Sequence, residues 1–198
     1  MNCGRNNNCN SAYRCQLTAY RNIMQNEMKI ITLSPERWAE SKALRIEALT
    51  DSPIAFGMSL EEEIVRDDAS WKNRLEEAEQ AEYRWLVYLE SEGKLVGVAG
   101  AYREKVLKIK HTAYIVGVYI TPAFRGQGWA RKMMETLFEK VCKNSEVNRL
   151  ELQVTSTQAS AVKLYESLGF AQVGVLHKEM LVDGVYYDQI IMEKFLHE

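Results

Sequence analysis

The residues most able to do chemistry lie between Val118 and Arg131. There the apolar run Val118-Tyr119-Ile120 enters a short turn, Thr121-Pro122-Ala123-Phe124, and then Arg125-Gly126-Gln127-Gly128-Trp129-Ala130-Arg131. Glycine has no Cβ, so the backbone at Gly126 and Gly128 can approach a ligand closely and aim its N–H groups at it. The first N–H groups of the helix that follows have no intrahelical partner, and the helix dipole adds positive character to them. A strand, a glycine turn and a helix start in that order make a site for a phosphate or pyrophosphate.

Three glycine-loop patterns compete for this stretch. A P-loop needs G-x-x-x-x-G-K-[ST], which the chain lacks. A dinucleotide fingerprint needs a small residue where Arg131 stands, and it belongs after the first strand of its unit. The remaining pattern is R-x-x-G-x-A, filled by Arg125, Gly128 and Ala130.

Other chemically able side chains have two readings each. Ala161, Leu164, Tyr165 and Leu168 share one helix face, so by this pattern alone Tyr165 reads as core. Glu151 and Glu61 to Glu63 are either solvated carboxylates or general bases. The acidic set Glu61, Glu62, Glu63, Asp67 and Asp68 suits a cationic acceptor, and a solvated helix face explains it equally. His111 and His177 read as surface residues. Cys3, Cys9 and Cys15 are spaced C-x5-C-x5-C, unlike zinc ligands, and with Cys142 they read as free thiols, so no metal is expected.

The elements that must position these residues follow from hydrophobic period. Met28 to Leu33 reads as a strand. Ser34-Pro35 opens a helix with a Ser cap and an apolar face of Trp38, Ala39, Leu44, Ile46, Ala48 and Leu49, broken at Asp51-Ser52-Pro53. A second amphipathic stretch spans 59–81 with a turn near Asp67-Asp68. Strands follow over 85–89, 95–102 and 113–120, the last so apolar that it is expected to be central. Ala130, Met133, Met134, Leu137, Phe138 and Val141 define a helix within 126–143. A strand at 149–155, a helix at 158–168 closed by Gly169, and strands at 170–176 and 186–195 across Asp183-Gly184 complete the order β-α-α-β-β-β-α-β-α-β-β. This is α/β: a mixed sheet of about seven strands with helices on both faces.

Among 198 residues, 46% are hydrophobic and 26% charged, which suits one domain with a proper core. The net charge of −2 offers nothing to nucleic acid or an anionic membrane, and no apolar run approaches a spanning length. A cytoplasmic location is the default. Residues 1–27, rich in Asn and Arg, read as an N-terminal extension of low intrinsic order, and 28–198 as the folded domain.

Arg125 to Ala130 after a strand resembles the acetyl-CoA signature of the GNAT superfamily of N-acetyltransferases. Ala161-Val162-Lys163-Leu164-Tyr165-Glu166-Ser167-Leu168-Gly169-Phe170 resembles that superfamily's second signature, with one helix and one strand between the two. The resemblance covers Met28 to Leu196 and implies the GNAT-like, mostly antiparallel sheet. It also implies that the backbone of Val118, Tyr119 and Ile120 pairs with the pantetheine arm. The pyrophosphate is then held at Gly126, Gln127, Gly128, Trp129, Ala130 and Arg131, with Arg125 as the leading basic residue. Tyr165 is implied to protonate the departing CoA thiolate. Many members carry Asn seven residues before that tyrosine; here Gln158 keeps the amide chemistry one methylene further out.

The function so implied is acetyl-CoA-dependent N-acetylation of a primary amine, by direct attack in a ternary complex. The expected acceptor is a small-molecule amine. A protein N-terminus or lysine is the alternative acceptor, and a non-catalytic CoA-binding sensor on the same fold is the alternative class. Relatives are often dimers, so a homodimer is an expectation by analogy.

Overall fold

The computed structural model describes residues 28–196. The extension expected over 1–27, with Cys3, Cys9 and Cys15, lies outside the described residues. The chain forms β1 (Met28–Ile31), α1 (Trp38–Asp51), α2 (Leu60–Ile64), α3 (Asp68–Gln80), β2 (Arg84–Ser91), β3 (Lys94–Arg103) and β4 (Thr112–Ile120). It continues with α4 (Trp129–Val141), β5 (Arg149–Thr155), α5 (Ala159–Ser167), β6 (Ala171–Val182) and β7 (Val185–Phe195). The strands make one seven-stranded sheet in the order β1-β2-β3-β4-β5-β7-β6, antiparallel except where β4 meets β5. This is the mixed, mostly antiparallel α/β sheet that the sequence predicts.

Strand alternation divides the sheet into two packed faces. On one, Trp85, Val87, Ala99, Ala101, Leu150 and Met192 pack against Met133, Met134, Leu137 and Val141 of α4 and against Tyr165 of α5. On the other, Tyr88, Leu95 and Tyr119 pack against Leu44, Ala48 and Leu49 of α1, Leu75 of α3 and Phe56. Helix α4 and the pair α1 and α3 therefore lie on opposite sides of the sheet.

Two local expectations change. Pro35–Arg37 forms a 3-10 turn and Ser34 makes no side-chain cap, so regular helix begins only at Trp38. A proline at the first position fixes φ without supplying the cap bond. On α1, Leu44, Ala48 and Leu49 are buried, whereas Ala39 is exposed. The β6–β7 arms also run longer than predicted, through a register shift between Leu176 and Met180. Lys178 takes φ +56° there, and its N–H donates to Asp188 Oδ1 at 2.8 Å.

Candidate active site

The glycine turn is built as a row of free amides. Gly126 and Gly128 take φ +72° and +82°, and no atom lies within 4 Å of where their Cβ would stand. Left-handed backbone at these two positions turns successive N–H groups toward the same side. Among the described residues no backbone carbonyl accepts from the N–H groups of Gly126 through Arg131; the first helical bond runs from Lys132 N to Gly128 O at 3.3 Å. Unpaired donors at a helix start are the physical requirement for a diphosphate, so the turn fits a nucleotide-linked carrier.

The charged side chains around the turn brace it. Arg125 Nε donates to Ile120 O at 2.7 Å and its Nη2 pairs with Asp51. Gln127 Nε2 reaches Ala123 O at 3.3 Å. Arg131 Nη2 donates to Ser167 Oγ at 2.6 Å, joining α4 to the end of α5. Trp129 is buried, so its ring packs the core while its amide stays in the turn.

Beside the turn the sheet opens. β4 and β5 pair only at Thr112, Ala113 and Tyr114 opposite Arg149, Leu150 and Glu151; beyond them, no ladder joins the two strands. β4 also carries a bulge: Gly100 faces Val116 and Val98 faces Tyr119, one extra residue on β4. Gly117, at φ +66°, accommodates it. A bulge bends its strand and releases a backbone group from the ladder. The free edge of β4 from Val116 to Ile120 thus borders a cavity of about 630 Å³ whose wall includes Gly126, Gly128, Gln158 and Tyr165.

Tyr165 is 8% exposed and sits edge-on to Phe170, with ring centroids 6.0 Å apart. Its hydroxyl has no hydrogen-bond partner among the described side chains, and burial pushes its pKa up to about 12. The phenol therefore stays protonated near neutral pH and keeps its proton available to a group in the cavity.

On the opposite face lies a second cavity of about 720 Å³. Its floor is a cross-strand row, Arg84, Tyr102, Tyr114 and Glu151, with the two tyrosine rings stacked at 5.4 Å. The two cavities share Ile115, Val116 and Gly117 of β4, Leu152 and Gln153 of β5, and Ala55. They meet where the sheet is split.

The acidic stretch after the Ile54–Gly57 loop is dispersed by the fold. Glu62 closes a capping box with Ser59, Asp67 caps α3, and Asp68 pairs with Lys42 at 3.0 Å. Glu63 is not solvated: at 1% exposure it faces Arg66 at 2.9 Å, Arg74 at 3.5 Å and Arg45 at 3.8 Å. Glu151 is held by Arg149 at 2.8 Å. His111 is exposed, and His177 is exposed and paired with Asp188 at 3.0 Å, as expected of surface residues.

Residues 45–170, from α1 through both signature segments, match the model of the acetyltransferase (GNAT) family. The chain belongs to that family. Phosphinothricin N-acetyltransferase of Alcaligenes faecalis is 28% identical over 153 residues, covering 77% of each chain. The ribosomal protein bS18 alanine N-acetyltransferase of Haemophilus ducreyi is 30% identical over 144 residues, 63% of this chain and 93% of that one. Among solved structures, yncA of Salmonella typhimurium with its cofactor acetyl-CoA superposes at a TM-score of 0.74 with 19% identity, over 86% of this chain and 95% of that one.

For this acetyltransferase the sequence singles out the residues around the first cavity and misses most of those lining the second. Arg45, Arg74, Tyr102 and Tyr114 carry no motif, because they come from elements far apart in sequence. Gly117 had a signal: a lone glycine inside a β-branched strand marks a bulge or a close backbone approach. No helix among the described residues is long and apolar enough to cross a membrane.

Proposed function

We propose that this acetyltransferase transfers the acetyl group of acetyl-CoA to the primary amine of a small molecule by direct attack, with both substrates bound. The observation that carries this reading is the meeting of two cavities, from opposite faces of the sheet, at the unpaired stretch of β4 and β5. A thioester laid along the open edge of β4 and an amine entering from the other face reach each other there without a covalent enzyme intermediate.

Acetyl-CoA supplies the activated acyl group. The amides of Gly126 to Arg131 hold its diphosphate, and the open edge of Val118, Tyr119 and Ile120 pairs with the amides of its arm. A backbone N–H freed by the bulge at Gly117 polarises the carbonyl; one preorganised donor of this kind is worth roughly 2.7–4 kcal/mol in the transition state. Tyr165 donates its hydroxyl proton to the sulfur as the C–S bond breaks and recovers one from solvent afterwards. Glu151, at the last β4–β5 pair, takes the amine proton through water. Gln158, in the wall of the same cavity, contacts the CoA arm through its amide.

A small acceptor suits the second cavity, which is a bounded pocket of drug-like size. The test is CoA release with acetyl-CoA and a panel of amino acids, polyamines, aminoglycosides and peptides. Release driven by small amines supports the reading. Release driven by peptides alone assigns a protein acceptor, and tight CoA binding with no release for any amine assigns a sensor.

A further inference from the structure

Within the acceptor cavity the charge runs opposite to the acidic look of the sequence. Its wall carries Arg45 from α1, Arg74 from α3 and Arg84 from β2, against the carboxylates of Glu63 and Glu151. Arg84 is committed to Glu77 at 2.9 Å, and Glu151 to Arg149 at 2.8 Å. Arg66 takes Glu63 Oε2 at 2.9 Å, and the other oxygen, Oε1, is shared at longer range by Arg74 at 3.5 Å and Arg45 at 3.8 Å, so two guanidinium groups face a single carboxylate oxygen. Neither Arg45 nor Arg74 has a side-chain partner closer than 3.5 Å among the described residues. Both are positioned instead by aromatic rings: Arg45 lies 4.5 Å from the Phe56 centroid and Arg74 4.6 Å from that of Trp71.

Two guanidinium groups set over aromatic rings, partly buried and sharing one carboxylate oxygen between them, suit an oxyanion. Their burial lowers both pKa values from the usual arginine range, consistent with charge that the protein alone does not balance. We propose that the acceptor is a primary amine that also carries an oxyanion, and that Arg45 and Arg74 seat this acid group while the amine faces the split between β4 and β5. This rests on the acetyl-transfer reading and narrows its acceptor to amino acid-like acids.

The geometry sets the scale of the acceptor. Neighbouring strands are about 4.8 Å apart, so the seam at β4–β5 lies roughly 10–14 Å across the sheet from β2, the strand under α3. Arginine side chains reaching inward span part of that distance. The remainder fits an amine and an acid separated by a short aliphatic spacer, and is too short for a polyamine, whose second ammonium would meet two arginines. Such juxtaposition of like charge is a means of rejecting the wrong partner.

The test compares matched acceptors on the wild-type protein: glycine, β-alanine and 4-aminobutanoate, their carboxamides, the corresponding aminoalkylphosphonates, and spermidine. The expected result is a kcat/KM at least about tenfold higher for an acid than for its carboxamide, in the range one hydrogen bond to a charged group provides. The carboxylate and phosphonate arms identify the oxyanion. R45Q and R74Q should each raise KM for the acid and shrink the acid preference to about twofold, with KM for acetyl-CoA unchanged. Preference of the wild-type protein for carboxamides or spermidine overturns the inference while leaving acetyl transfer standing. Absence of CoA release with every amine removes both. Because the acid-to-carboxamide ratio is measured on the wild-type chain, the inference does not depend on either variant folding.

Discussion

Arg131 in the first turn of α4 donates from Nη2 to both the Oγ and the carbonyl of Ser167, at 2.6 and 3.2 Å. This ties the glycine turn to the last residue of the helix that carries Tyr165, so the two candidate site elements are joined directly. Arg131→Gln should raise KM for acetyl-CoA several-fold, while the melting temperature moves little, because exposed pairs contribute roughly 0.2–1 kcal/mol. Steady-state kinetics beside thermal denaturation checks this.

Tyr165→Phe removes the hydroxyl and leaves the ring against Phe170. A positioned acid contributes about 10²–10⁴-fold, so kcat should fall by about a hundredfold, with CoA affinity within twofold of wild type. Equal turnover by the variant would reduce Tyr165 to packing.

Gly128→Ala separates backbone strain from crowding, since its Cβ would meet open space at φ +82°. The left-handed conformation costs a non-glycine residue roughly 1–2 kcal/mol. Stability should drop by about that amount, and CoA binding should weaken further as the amides of the turn reorient. Denaturant unfolding and calorimetry measure the two effects.

Glu63→Gln leaves three arginines around a neutral buried amide. Removing one partner of a buried ionic cluster costs about 3–5 kcal/mol, so this variant should unfold at much lower temperature than Glu61→Gln, whose carboxylate is exposed.

High pH should reveal the buried phenols. Burial pushes Tyr88 and Tyr165 up to about 12, and Tyr119 likewise, with Glu47 and Asp51 adding to the effect. Between pH 10 and 12 the unfolded chain loses phenolic protons that the folded chain retains, so stability falls as pH rises. The loss reaches roughly 1.4 kcal/mol per pH unit for each fully buried phenol. Melting temperature against pH should be insensitive to these groups below pH 9 and descend above 10.

The glycine-turn half of the candidate site was legible because its chemistry is local. Gly126 and Gly128 announce a turn whose backbone needs positive φ, and the period of Met133, Met134, Leu137 and Val141 places the following helix on the sheet. Tyr165 was legible as a candidate through its neighbours Leu168-Gly169-Phe170. The second cavity was not, because it depends on packing between distant segments. Arg45, Glu63 and Arg74 sit on three helices, and only the docking of α1, α2 and α3 together buries Glu63 and turns an acidic sequence into a basic cavity. Of the acidic residues that read either as a site for a cation or as a solvated helix face, Glu62 and Asp67 are committed to helix starts.

The central claim is that the amides of Gly126 to Arg131 hold the coenzyme's diphosphate. It is tested most directly by titrating CoA into the 15N-labelled protein and following backbone amide shifts. The account predicts that the largest, saturable shifts fall at Gly126 through Arg131, with a second set at Val116 to Ile120 along the open edge of β4. Saturable binding that leaves the resonances of Gly126 to Arg131 unmoved, or no binding at all, would contradict it.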